Sequence, residues 1–165
     1  MHKQVRFMVQ GALIAAMYAA LTHLQNLLLP NSATMAIQFR ASEALCVLAF
    51  FTPAAVPGLT VGCFLFNLTT AGALPLDPVV GPVATFLAVQ GMYLTRKFTF
   101  KGIPILQLAL PALTNAFLVG WELTLYIGGG FWLNALYVAL GELAVLYTLG
   151  ILLCTTMKRR RISMS

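Results

Sequence analysis

Acidic residues are scarce in this chain, with 4 Asp and Glu against 10 Lys and Arg in 165 residues, and charged residues make up only 8% of it. A water-soluble domain carries about 25% charged residues, so a chain that is 60% hydrophobic with so little charge is an integral membrane protein by composition. Histidine occurs only at His2 and His23, and cysteine only at Cys46, Cys63 and Cys154, with no CxxC pair. That pattern predicts neither a zinc site nor a disulfide framework; the thiols read as core residues and His23 as a polar packing contact. GxxxxGK[ST], HExxH and GxSxG are missing too, which removes P-loop nucleotide binding and two common hydrolase centres. "YIGGGF" is a lone glycine turn. A net charge of +6 would suit nucleic acid. The basic residues, however, gather at the two ends and in "TRKFTFK", which is how cytoplasmic loops look and not how a basic groove looks.

Apolar runs are abundant. Phe7 to Leu29, Val79 to Thr95, Ile103 to Ile127 and Phe131 to Met157 each approach or exceed the roughly 17 to 25 residues of a transmembrane helix. The first opens like a signal peptide, but its uncharged stretch outlasts an h-region, and it is read as a membrane helix. Ala44 to Leu76 is too long for one untilted span at about 1.5 Å per residue and short for two. Pro53 and Pro57 in "TPAAVPG" interrupt helical hydrogen bonding and predict a hairpin there. The expectation is a single domain over residues 1–165: an all-α membrane protein, a six-transmembrane-helix bundle with helices near 7–29, 38–54, 58–74, 79–95, 103–127 and 131–157. Loops rich in Lys and Arg stay in the cytoplasm. With both the N- and C-termini cytoplasmic, every basic residue except Arg40 obeys that rule, whereas a five-helix count would translocate "TRKFTFK" and "MKRRR".

The interior polar residues belong to the opposite, outer half. Arg40 and Glu43 open the second predicted helix, Asp77 lies in the loop "GALPLDPVVG" as a candidate N-cap, and Glu122 is near the outer end of the fifth helix. Glu142 falls about eleven residues into the sixth helix, roughly 16 Å deep. A carboxylate in hydrocarbon costs on the order of 2.5 to 3.5 kcal/mol, so it normally faces a partner or a water-filled cavity. Asn115, Leu118, Glu122 and Tyr126 share one helix face, Asn134, Val138 and Glu142 share another, and Asn67 with Trp121 and Trp132 lies near the same level. One shared binding cavity follows. Simpler roles compete: Arg40 and Glu43 as a self-neutralising helix start, Asn67 and Asn115 as interhelical glue, and Trp121, Tyr126 and Trp132 as an interfacial aromatic belt. On the first helix, Ala12, Ala16 and Ala20, with Ala15 and Ala19 beside them, form a smooth ridge for close helix approach, within the bundle or against a partner subunit.

Three separated stretches, "IQFRASEAL", "LDPVVGPVATFLA" and "VALGELAVLYTLG", resemble the QueT family of substrate-binding S components of energy-coupling factor (ECF) transporters, which take up queuosine precursors in prokaryotes. The likeness covers almost the whole chain. It implies a multi-pass protein of the prokaryotic plasma membrane that is not an enzyme and needs no cofactor or metal. The implied ligand is a 7-deazaguanine such as preQ1, preQ0 or queuine. The implied partners are a transmembrane coupling (T) protein and two ATPase subunits, with the alanine surface of the first helix (Ala12, Ala16 and Ala20, then Ala15 and Ala19) meeting the coupling protein. On the ligand side, Glu142 or Glu122 would accept the ring-edge donors, Gln38, Asn67, Asn115 or Arg40 would donate to the ring carbonyl, and Glu43 would neutralise an aminomethyl group. Other readings stay open: an S component for another solute, a small intramembrane enzyme using Glu142 as acid or base, an assembly subunit, or a free-standing secondary transporter.

Overall fold

The structure, a computed structural model, describes residues 2–30, 32, 38–99 and 104–160, and every regular element among them is helical. Helix α1 (Lys3–Leu28) is followed by a 3-10 helix (Ala41–Phe50), then α2 (Ala55–Thr69), α3 (Asp77–Leu94), α4 (Ala109–Tyr126) and α5 (Phe131–Val145). A π-helical turn, Leu146–Gly150, leads directly into α6 (Ile151–Arg159). Prolines set several of these starts. Thr52 and Pro53 end the 3-10 helix in a turn, while Pro57 and Pro78 fall in the first turns of α2 and α3, where a missing N–H costs nothing.

Contacts between elements fix their directions. Thr22 meets Ser42 and Thr52 donates to Gln10, so the 3-10 helix runs antiparallel to α1. Gly58 lies on Gly11 and Gly62 on Ala15, so α2 runs parallel to α1. A Cβ at Gly62 would sit 2.8 Å from the Ala15 carbonyl oxygen and from Tyr18 Cβ, so the two backbones touch there as in small-xxx-small membrane pairs. Asn67 to Asp77, Gln107 to Thr95 and Asn115 to Glu142 then turn α3, α4 and α5 back in alternation. Gly141 against Gln38 and Gly150 against Val47 set the last long helix parallel to the 3-10 helix. The start of α1 and the end of α6 therefore share one end of the bundle, together with Arg96 and Lys97 after α3.

The 3-10 helix is the hub. Ser42 to Ala49 are all buried, and Leu45, Val47 and Leu48 pack with Ile14, Leu59, Met92, Leu108 and Cys154 from five other segments. Large apolar side chains such as Leu13, Leu68, Leu87, Phe117 and Leu136 cover the outside.

Two helical stretches, Lys3–Leu28 and Phe131–Arg159, are long and apolar enough to cross a membrane by length and composition. The other four predicted spans are represented by shorter or more polar helices. The one expected at 38–54 covers only Ala41–Phe50, 58–74 becomes Ala55–Thr69, 79–95 becomes Asp77–Leu94, and 103–127 becomes Ala109–Tyr126. Residue 103, like Lys101 and Arg161, lies outside the described residues.

Candidate functional site

All 4 acidic residues of the chain are buried: Glu43, Asp77, Glu122 and Glu142. Arg40 is the one buried basic residue among the described residues. In a 3-10 helix, residues three apart stack on one edge, and this places Glu43 and Cys46 in line, with Arg40 as the N-cap before them. Gln25 of α1 positions that edge: its Oε1 accepts from the Ala41 N–H at 2.7 Å and its amide donates to the Phe39 carbonyl. The Tyr18 hydroxyl donates to Glu43 Oε1 at 2.5 Å and the Cys46 thiol to Oε2 at 3.2 Å, so both oxygens of Glu43 are occupied. The Arg40 guanidinium stands 5.9 Å from the Phe66 ring centre and acts electrostatically on Glu43, Glu142 and Glu122.

Glu142 and Asn115 close the opposite wall. Asn115 Nδ2 donates to Glu142 Oε1 at 2.6 Å, and Gly141 lets the α5 backbone lie directly on the Gln38 backbone. Glu122, on the same face of α4 as Asn115 but two turns on, meets the α2–α3 loop, and Asp77 is the first charged neighbour acting on it. The candidate N-cap role of Asp77 is corrected: Leu76 is the N-cap, and Asp77 begins α3 with its Oδ2 reaching back to accept from the Leu74 N–H at 2.6 Å. A carboxylate one residue past the cap sees the exposed donors of the loop behind it. Asn67 donates to the Asp77 carbonyl at 3.0 Å.

Several buried side-chain oxygens have no hydrogen-bond partner among the described residues: Gln38 Oε1, Asn67 Oδ1, Asn115 Oδ1, both oxygens of Glu122, and Glu142 Oε2. An unmade buried hydrogen bond costs about 1 to 3 kcal/mol. These acceptors are left to be met by a group that brings N–H or O–H donors.

The remaining sequence-predicted residues lie elsewhere. Asn134 is tied to Thr124 Oγ1 at 3.1 Å and to the Gly128 carbonyl at 3.0 Å, holding the α4–α5 turn. Trp121, Tyr126 and Trp132 face outward with 47%, 46% and 76% of their surface exposed, and the structure does not bring them to the acid cluster. The alanine ridge divides: Ala12, Ala16 and Ala20 are exposed, Ala19 is half-buried, and Ala15 is buried against Gly62. Beside it an apolar groove of about 300 Å³ runs between α1 and α2, lined by Phe7, Met8, Gly11, Pro57 and Val61. His23 contacts Thr69 Oγ1 at 2.9 Å. Sequence reasoning missed Tyr18, Gln25 and Cys46, each a polar side chain inside an apolar run, and the Gly58/Gly62 pair spelled out in "GLTVG".

Among the described residues no group of three or more His, Cys, Asp or Glu is placed to hold a metal ion. An all-helical bundle with an apolar exterior and an enclosed, acceptor-rich polar site has the build of a membrane-embedded binding protein. The chain belongs to the QueT transporter family, whose sequence profile matches residues 8–159. It is accordingly a substrate-binding component of a membrane transporter and not an enzyme. No curated protein and no solved structure matches it.

Proposed function

We propose that this protein is the S component of an ECF-type importer that captures a queuosine precursor, a 7-deazaguanine such as preQ1, preQ0 or queuine, for ATP-driven uptake. The observation that carries the substrate assignment is the set of buried, unpartnered acceptor oxygens on Gln38, Asn67, Asn115, Glu122 and Glu142. A guanine-like ring presents an N1–H and a 2-amino group along one edge, and charge-assisted bonds from such donors to a carboxylate are the strong kind. Glu142 Oε2, already oriented through the Asn115 bond to Oε1, suits that edge. Glu43 already accepts one donor on each oxygen, from Tyr18 and Cys46, and forms a wall of the site.

In this reading the single domain crosses the plasma membrane of a prokaryotic cell six times, with both termini in the cytoplasm. The shared end of the chain termini and the apolar exterior support it. A ten-residue 3-10 helix rises about 20 Å at 2.0 Å per residue, more than the same residues would as an α-helix. Ala12, Ala16 and Ala20 meet the T protein, which two ATPase subunits drive; their exposure on α1 favours this role over bundle packing.

The test is a calorimetric titration of the purified protein, without ATPase partners, with preQ1, preQ0, queuine and guanine. Submicromolar binding of a deazapurine with guanine much weaker is expected. A folded protein that binds none of them would remove the queuosine assignment and move the search to other vitamin-like solutes.

A further inference from the structure

The four buried carboxyl groups are not equally provided for. Glu43 has two donors, from Tyr18 and Cys46. Glu142 has one, from Asn115. Asp77 has one, from the Leu74 N–H. Glu122, with none of its surface exposed, abuts the carboxyl group of Asp77, the first charge acting on it, and lies near the Leu76 N–H, but no donor meets either of its oxygens with good hydrogen-bond geometry among the described residues. Arg40, the one buried cation described, acts on Glu43 and Glu142 as well as on Glu122 and is shared among them. Asn67 borders the same spot through its bond to the Asp77 carbonyl and leaves its own Oδ1 unpartnered.

From this we infer that Glu122, with Asp77 and Asn67, is a subsite for a cationic amine on the ligand, so that the protein selects amine-bearing deazaguanines over neutral ones. The inference rests on the deazaguanine reading above and adds a charge requirement to it. An ammonium carries three N–H donors and no acceptor, and the two oxygens of Glu122 and Oδ1 of Asn67 are three acceptors without donors. A positive charge there also lets Glu122 and Asp77 be ionised together, which two carboxyl groups brought together away from water otherwise resist. A neutral substituent at the same place leaves those acceptors unmet and supplies no charge to the carboxyl pair. The amine subsite thus lies at the α2–α3 loop, while the ring edge goes to Glu142 on the α5 wall. Glu43, to which the family resemblance would give the amine, already holds one donor on each oxygen, whereas Glu122 holds none of good geometry, and on that difference the amine is assigned to Glu122.

The compounds preQ1 and preQ0 share the ring and its donor edge and differ in an aminomethyl against a nitrile group, so they isolate the charge. Both are titrated into the wild-type protein and into Glu122→Gln and Asp77→Asn. The wild-type protein is expected to bind preQ1 about thirtyfold tighter than preQ0, and Glu122→Gln to weaken preQ1 about tenfold while leaving preQ0 within about threefold. Asp77→Asn is expected to narrow the preference in the same direction. Equal wild-type affinity for the two compounds would overturn the inference while leaving the deazaguanine reading intact, and this comparison needs no variant to fold. Equal loss of both compounds in a folded Glu122→Gln protein would also overturn it, by making Glu122 a contact to the ring. Binding of neither compound to the wild type would overturn the deazaguanine reading and the inference with it.

Discussion

Glu142 and Glu43 are alike in burial and unlike in provision, and that difference sets what each substitution does. Glu142→Gln removes the charge that the ring-edge donors meet and is expected to weaken deazaguanine binding about tenfold, near 1.4 kcal/mol; affinity within about twofold of wild type in a folded protein would show that Glu142 is not the recognition group. Tyr18→Phe leaves Glu43 Oε1 buried with its donor gone, an expected destabilisation of about 1 to 3 kcal/mol. A lowered Tm in detergent checks it, and an unchanged Tm would mean that water or a shifted side chain replaces the phenol. The carboxylates were legible in the sequence because an acid in an apolar run has so few explanations. Tyr18 was not, since its partner is 25 positions away and a lone tyrosine in an apolar helix reads equally well as packing. Trp121, Tyr126 and Trp132 show the converse: helical spacing put them near the right level but could not say which way they pointed, and they point out.

At the scale of elements, the stretch after Arg40 was the hardest to read, and the reason is its winding. Periodicity and proline placement announced a short helix and a hairpin, and the chain does turn at Thr52 and Pro53. They carried no sign that Ala41–Phe50 winds as a 3-10 helix, because local sequence does not favour that form over 10 residues; burial on all sides and the fixed ends at Gln25 and Thr52 do. The α1–α2 seam depends on a different kind of fit. Gly62→Leu would drive a side chain into the Ala15 backbone, and loss of folded, monodisperse protein is the expected outcome on size exclusion; a well-folded Gly62→Leu variant would mean that the two helices can separate without harm. Ala16→Trp, on the exposed face of the same helix, is expected to keep ligand affinity and abolish uptake by the complete transporter. Lost ligand binding with the complex still assembled would remove the docking role.

Over the whole molecule, charge is sorted twice: by end and by depth. Lys3, Arg6, Arg96, Lys97, Lys158 and Arg159 lie at the end of the bundle where the chain begins and finishes, and among the described residues Arg40 is the one basic residue that accompanies the acids inside. The end-to-end part of this pattern followed from the alternation of apolar runs with basic segments. The depth part followed only in part: the position of Glu142 within its helix put it inside, whereas the burial of Asp77, which the sequence set in an outer loop, is a property of the assembled bundle. One result concerns how the molecule is seen from solution. The formal charge of +6 subtracts carboxyl groups that are all buried, so the protein presents to its surroundings a basic surface with no exposed acidic side chain among the described residues. Its elution from a cation exchanger at neutral pH should move earlier on Arg159→Gln and hardly later on Glu122→Gln, although each substitution changes the formal charge by one unit, in opposite directions.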